Sequence, residues 1–276
     1  MAGTAIEVRP MSFAVERGAQ GLWNPELPEL SHALNAFQLA LPYLEPYFID
    51  AVKEAIARIG DPSLKADAAA FCGQEANHSR QHRRYCRHLH DRYPRLAQYE
   101  SAIQQSLVHS RRHDSLEWRL SYTAGYEAIT AQLARWFLRN VNRWPKSNDE
   151  PFAALMAWHA VEEIEHRHVA YDVLRAVNPS YVLRARGLIG ALRKTNADLQ
   201  PVVTYMLEVD GLAGRLDSRA RRLRQRAALA LELLPAAIRY LTPGYHPSRD
   251  REPPGFKHWL MSHPTAPAPM GEEAVR

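Results

Sequence analysis

Trp158-His-Ala-Val-Glu-Glu-Ile-Glu-His-Arg-His-Val-Ala-Tyr-Asp172 is the stretch whose reading decides the fold. Wound as an α-helix at about 100° per residue, it sets His159, Glu163 and His166 on one face, at i, i+4 and i+7. Glu162 falls beside them, Glu165 lies off to the flank and His168 lands on the opposite side. Ala157, Val161, Ile164 and Val169 form no clean apolar stripe that excludes this charged set. Buried charge is costly unless it is paired or coordinates a metal. Glu163-x-x-His166 is the carboxylate–imidazole unit with which helical bundles hold two metal ions. Taken alone, a Glu- and His-rich helix is more often a solvated face.

The rest of the chain weighs against that bland reading. The recurrence of Leu34, Phe37, Leu41, Leu44, Phe48, Val52 and Ile56 predicts a helix over 28–59, N-capped by Ser31 and interrupted at Pro42 and Pro46. Glu45 stands between those prolines, among Tyr43, Leu44, Tyr47 and Phe48. A second helix, over 62–90, carries Glu75 and His78 at i, i+3, with His82 on the same face. Its Arg80, Arg83, Arg84, Arg87 and His88 read as a solvated basic face. Further helical segments are expected over 95–112 and 114–140, and Glu127 is a lone carboxylate among Ala, Gly, Ile and Leu of the latter. A loop over 144–151 precedes the opening helix, which is expected to run to 177.

The order is thus Glu45, Glu75-x-x-His78, Glu127, Glu163-x-x-His166. Each isolated Glu precedes its pair by about one helical hairpin. This is the ligand order of a ferritin-like four-helix bundle, in which each half supplies one Glu and one Glu-x-x-His to a dinuclear metal core. We therefore expect an all-α fold. A 1–28 arm would precede a single helical domain over 29–262, with its core bundle over 29–178 and extra helices over 179–262. Those extra helices are expected over 179–195, 200–212 and 216–241, followed by a loop over 243–255 and a disordered Pro/Ala-rich tail over 263–276. The 216–241 helix is Arg-rich in its first half and apolar in its second. We read it as packing on the bundle or on a second subunit, which suggests a homodimer.

Composition excludes several other classes. The chain has 276 residues, 46% hydrophobic and 24% charged, as a globular protein with a real core requires. The net charge of +5 is spread along the chain, so it does not mark a nucleic-acid interface. Cys72 and Cys86 form no Cys-x-x-Cys unit and no disulfide framework, which fits a reducing, cytoplasmic setting. No apolar run is long enough for stable membrane insertion, and residues 1–20 carry no signal-peptide core. Phosphate-loop, dinucleotide-binding and nucleophile-elbow motifs are missing from the sequence.

Beyond ligand order, several segments resemble the ferritin-like family known as predicted metal-dependent hydrolases. They are Gln74-Glu-Ala-x-His78, Thr123-Ala-x-x-Glu127 with Thr130-Ala131, Trp158-His-Ala-x-Glu-Glu-Ile-Glu-His166, Val169-Ala-Tyr-Asp172 and Tyr240-Leu-Thr-Pro-Gly-Tyr-His-Pro247. The sequence departs from that family's pattern at Leu44-Glu-Pro-Tyr-Phe48 and at Ala128, where the family often has His. The His159-x-x-x-Glu163-x-x-His166 triplet is also similar to the diiron arylamine N-oxygenases, in which an extra histidine joins the ligands. The resemblance implies Glu45, Glu75, His78, Glu127, His159, Glu163 and His166 as ligands. His82 is a spare ligand or an outer histidine, and Glu162, Asp172, Gln74 and Tyr126 are candidate orienting groups. Tyr43, Phe71, Tyr122, Tyr126 and Trp158 are candidate pocket residues.

The leading expectation is an O2-dependent diiron oxygenase of hydroxylation or N-oxygenation type. It would use two iron ions (alternatively Mn/Fe or Zn) and an external electron donor to act on a small or lipid-like organic substrate. A hydrolase with two Zn or Mn ions activating water is the alternative. Iron storage, or a metal-stabilised scaffold, is the non-enzymatic one.

Overall fold

The computed structural model describes residues 6–15, 21–145 and 150–262, the side chain of His258 excepted. The expected tail over 263–276 and part of the 144–151 loop lie outside the described residues. The described chain is helical throughout: α1 (Pro28–Ile56), α2 (Pro62–Arg92), α3 (Leu96–His113), α4 (Leu116–Asn140), α5 (Glu150–His166), α6 (Val169–Val177), α7 (Tyr181–Val209), α8 (Leu216–Tyr240) and α9 (Phe256–Ser262). It forms an all-α bundle consistent with a ferritin-like fold. α1 packs against α2, α4 against α5 and α6, and α7 lies along both α4 and α1. Among the described residues, no helix is long and apolar enough to cross a membrane.

Sequence cues account for the ends of these helices. Asp61 caps α2 by accepting from the Ser63 N–H, Ser115 caps α4 through the Trp118 N–H, and Ser180 caps α7 through the Leu183 N–H. Ser31 does not cap α1. That helix begins at Pro28, and the Ser31 hydroxyl donates to the Asn24 carbonyl.

Three further expectations are corrected. α1 runs unbroken through Pro42 and Pro46. A proline leaves the carbonyl four residues earlier without its helical donor, here Gln38 and Pro42. α2 supplies the missing donors. Cys86 Sγ lies 3.4 Å from the Gln38 carbonyl, and Arg83 Nη2 and Ser79 Oγ reach the Pro42 carbonyl at 2.9 and 3.4 Å. Arg83 is therefore more than a solvated charge. Second, the opening helix breaks after His166 instead of running on to 177. The Arg167 guanidinium donates to the Ile164 carbonyl, the acceptor that the His168 N–H would have used. Third, 179–195 and 200–212 are one helix, α7. Lys194 and Asp198 pair at i, i+4 (2.7 Å) across the expected gap, and Pro201 is tolerated within the helix.

α4 and α7 touch backbone to backbone. A Cβ on Gly125 would lie 2.7 Å from the Leu188 backbone, and one on Gly187 would strike the Ser121 carbonyl. The close crossing needs both glycines, since no flexible side-chain end can yield there. Gly187→Ala is expected to lower stability by about 1–3 kcal/mol in urea unfolding, as overpacking does. Gly60→Ala, in open space, should leave it unchanged.

Candidate metal centre

α1, α2, α4 and α5 each send acidic or imidazole side chains to the middle of the bundle. Two adjoining groups result: Glu45 with His78 and His159, and Glu75 with Glu127, Glu163 and His166. Within each group the potential ligand atoms lie within 4.8 Å of one another. All seven residues are buried. Glu75 Oε1 sits 3.3 Å from both His78 Nδ1 and His166 Nε2, between the two groups. Glu163 spans them likewise, with Oε1 2.8 Å from His159 Nε2 and Oε2 3.6 Å from His166 Nε2. Glu127 Oε2 is 3.2 Å from His166 Nε2. Aromatic rings close the ends: Phe71 packs edge-on to His166 and Trp158 edge-on to His78.

The partners of each imidazole decide which nitrogen carries its proton. His78 Nε2 donates to Glu162 Oε2 at 2.9 Å, because a carboxylate only accepts. His166 Nδ1 donates to Gln74 Oε1 at 2.8 Å, and Gln74 keeps that orientation because its Nε2 donates to Glu165 Oε2 (2.6 Å) and to the Glu7 carbonyl (2.8 Å). Gln38 Nε2 donates to Met156 Sδ, so Gln38 Oε1 accepts from His82 Nδ1. His82 Nε2 then accepts from His159 Nδ1 at 2.8 Å. In the neutral tautomers so fixed, His78 Nδ1, His166 Nε2 and His159 Nε2 each point a lone pair inward at a carboxylate. Lone pair against lone pair is tolerable only with a cation between them. Both oxygens of Glu45 and of Glu127, with Glu75 Oε1 and Glu163 Oε2, have no hydrogen-bond donor among the described residues.

The residues therefore fit a pair of divalent ions. Four carboxylates balance two such charges, and the mixed carboxylate–imidazole donor set suits first-row transition metals. Without a cation the groups can only compete for protons. Burial and the nearby Glu75 charge raise Glu45 well above the usual carboxylate range. Burial and Glu163 push Glu127 to about 8. Burial would lower His78, but its bonds to Glu162 and Glu75 raise it to about 10. Burial lowers both His159 and His82, with His78 adding to the first and His159 to the second.

Behind the inner residues runs a second tier. Arg9, from the N-terminal arm, is buried, and its guanidinium forks onto Glu165 at 2.7 and 3.1 Å and reaches Glu162 at 3.4 Å. One chain of contacts thus runs from His166 through Gln74, Glu165, Arg9 and Glu162 to His78. Sequence reasoning missed Arg9, Glu165 and Gln38. Glu162 and Glu165 on one buried helix already called for a cation that α5 does not carry, but nothing marked Arg9 as its source. His82 belongs to neither group and stands behind His159, with Glu45 3.8 Å away. Asp172 is a correction: it pairs with His246 at 2.7 Å, half-buried and outside this network. Tyr126 packs on Phe48 and makes no hydrogen bond to the cluster.

A cavity of about 730 Å³ opens from one side of the cluster. His159 and Glu163 belong to its lining, with Phe37 of α1, Ile129 and Thr130 of α4, and Met156 and Ala160 of α5. Leu192 and Leu199 of α7 and Leu229 and Leu233 of α8 complete an apolar wall. None of Tyr43, Phe71, Tyr122, Tyr126 and Trp158 lines it. They pack instead against neighbouring side chains, as Tyr122 does on Tyr47. α8 walls the chamber and is anchored at several points, Glu232 among them, which accepts from Gln132 of α4 at 2.8 Å. Ser218 and Tyr240 are its buried residues, Glu29 holds Arg221 at 2.9 Å, and Arg184 lies over the Tyr240 ring.

An all-helical bundle with two adjoining carboxylate–imidazole groups at its centre is the architecture of a metal-dependent helical protein. A family model bears this out over most of the length: the chain belongs to the family described as predicted metal-dependent hydrolase, which matches residues 7–251. No curated protein and no solved structure gives a match.

Arg9→Met should leave Glu162 and Glu165 buried without their cation. The expected cost is about 3–5 kcal/mol in urea unfolding, and about 10–100-fold in metal affinity by chelator competition. Arg58→Gln, at an exposed position outside this network, should change neither.

Proposed function

We propose that this protein is an O2-dependent dinuclear iron oxygenase acting on a predominantly apolar organic substrate. Glu45, His78 and His159 would hold one ion, and Glu127 and His166 the other, with Glu75 and Glu163 between them. The observation that carries the reading is that the cluster meets the cavity at His159 and Glu163, beneath apolar walls. Hydrolysis needs a polar scissile group and a water supply, and such walls disfavour both. They suit a hydrocarbon or aryl substrate and O2.

Two ferrous ions would supply electrons for the reductive activation of O2. Monooxygenation puts one oxygen atom into the substrate and releases the other as water, consuming two electrons from an external donor and two protons. The chain's own side chains do the rest. Glu162 and Gln74 hold His78 and His166 by their outer nitrogens and fix the lone-pair directions. His82 does the same for His159. Phe37, Ile129, Met156 and Ala160 exclude water where substrate approaches.

The test is anaerobic loading with Fe(II), then exposure to O2 with an oxygen electrode. About two irons per chain are expected, with O2 uptake that is lost in Glu163→Ala together with iron. Glu45→Ala should lower the iron content while leaving the fold intact by circular dichroism. Two zinc ions taken up in preference, with ester or phosphoester hydrolysis and no O2 uptake, would move the function to hydrolysis.

A further inference from the structure

The cavity has an end that the reading above does not use. Arg219, Arg222 and Arg226 of α8 all line it. Their spacing, i, i+3 and i+7, puts them on one face of the helix, and Leu229 and Leu233 continue the lining towards the C-terminal end of α8. Among the described residues none of the three has a carboxylate partner, whereas the neighbouring Arg221 is taken by Glu29 and Asp217. Arg222 Nε is buried with no hydrogen-bond acceptor. The carboxylates in the lining are Glu29, which Arg221 neutralises, and Glu163 at the metal centre. Thr130, Thr195, Asn196, Gln200 and Gln225 are the polar neutral residues of this lining.

The two ends are set apart along α1. Arg221 binds Glu29, and the lining continues on the unbroken helix α1 from Glu29 to Phe37, eight residues on. At about 1.5 Å per residue this is about 12 Å of helix. Between the cationic end and the metal end stand Leu30, Ala33, Leu34 and Phe37 of α1. Such a chamber is apolar along its length, cationic at one end and reactive at the other.

We propose that the cavity binds a long single-chain amphiphilic anion. Its oxyanionic head group is held by Arg219, Arg222 and Arg226, and its hydrocarbon chain runs inward to His159 and Glu163. The proposal rests on the reading that this chamber is where substrate meets the metal centre. Guanidinium groups match carboxylate and phosphate geometry, and they bind either head through paired N–H donors. The apolar wall supplies affinity in proportion to chain length, about fourfold for each buried methylene. Reaction then falls on the chain, remote from the head group.

The test uses the full-length, metal-free protein, followed by tryptophan fluorescence, since Trp136 and Trp144 line the cavity. Decanoate, dodecanoate and tetradecanoate are titrated below their aggregation concentrations, beside 1-dodecanol, dodecyltrimethylammonium and dodecyl phosphate. Dodecanoate or dodecyl phosphate should bind at least about tenfold tighter than the alcohol or the cation, and the tighter of the two identifies the head group. Affinity should climb about fifteenfold per two-carbon step while the added methylenes are buried. The triple variant Arg219→Gln/Arg222→Gln/Arg226→Gln should lose the preference for the anion and keep its affinity for the alcohol. Arg224→Gln, outside the lining, should retain both. Equal binding of anion and alcohol, a preference that survives the triple variant, or no dependence on chain length would overturn the proposal. Because no metal takes part in this titration, selective anion binding by a protein whose Fe(II)-loaded form takes up no O2 would sink the oxygenase and leave this proposal standing. O2 uptake without anion selectivity would do the reverse.

Discussion

Mutual repulsion among Glu45, Glu75, Glu127 and Glu163 is the constraint that shapes this molecule. All four carboxylates are buried at the meeting point of α1, α2, α4 and α5. Among the described residues, histidines alone pair with these four carboxylates. A core built in this way is stable only when cations, or protons in their stead, occupy the centre. The imidazoles are turned so that they add lone pairs to that centre instead of protons.

Fixing the imidazoles needs acceptors behind them, and those acceptors need a cation of their own. Glu162 and Gln74 face His78 and His166, Glu165 orients Gln74, and Arg9 closes the circuit between the two glutamates. The N-terminal arm, irregular as it is, thereby belongs to the metal centre. The arrangement also divides labour. His78 and His166 are held by Glu162 and Gln74, while His159, which lines the cavity beside Glu163, is backed by His82.

Much of this was legible in the chain because helical periodicity is a local property. Two Glu-x-x-His units at i, i+3 can only point the same way, and two isolated glutamates one hairpin upstream complete the set. What escaped was non-local. Arg9 reaches Glu165 across 156 residues, and no periodicity connects them. The cavity depends on how α8 seats against α1 and α4, which composition does not encode. The aromatic residues around the ligands suggested a pocket, yet Tyr122, Tyr126 and Trp158 are core packing. Pro42 and Pro46 were read by their local rule, and that rule was overridden by donors on a neighbouring helix. The break after His166 came from a single arginine side chain competing for a backbone carbonyl.

The proline pair ties α1 to its neighbour. α1 lacks two of its own backbone hydrogen bonds near Glu45, and their replacements come from Ser79, Arg83 and Cys86. An isolated α1 would be weakest at that point, since a helix gains stability only by propagating bonds through each turn. The segment that carries Glu45 is therefore held by side chains of α2, the helix that also carries Glu75 and His78. Three of the inner residues thus share one hairpin, whose two helices are fastened to each other beside the centre they serve.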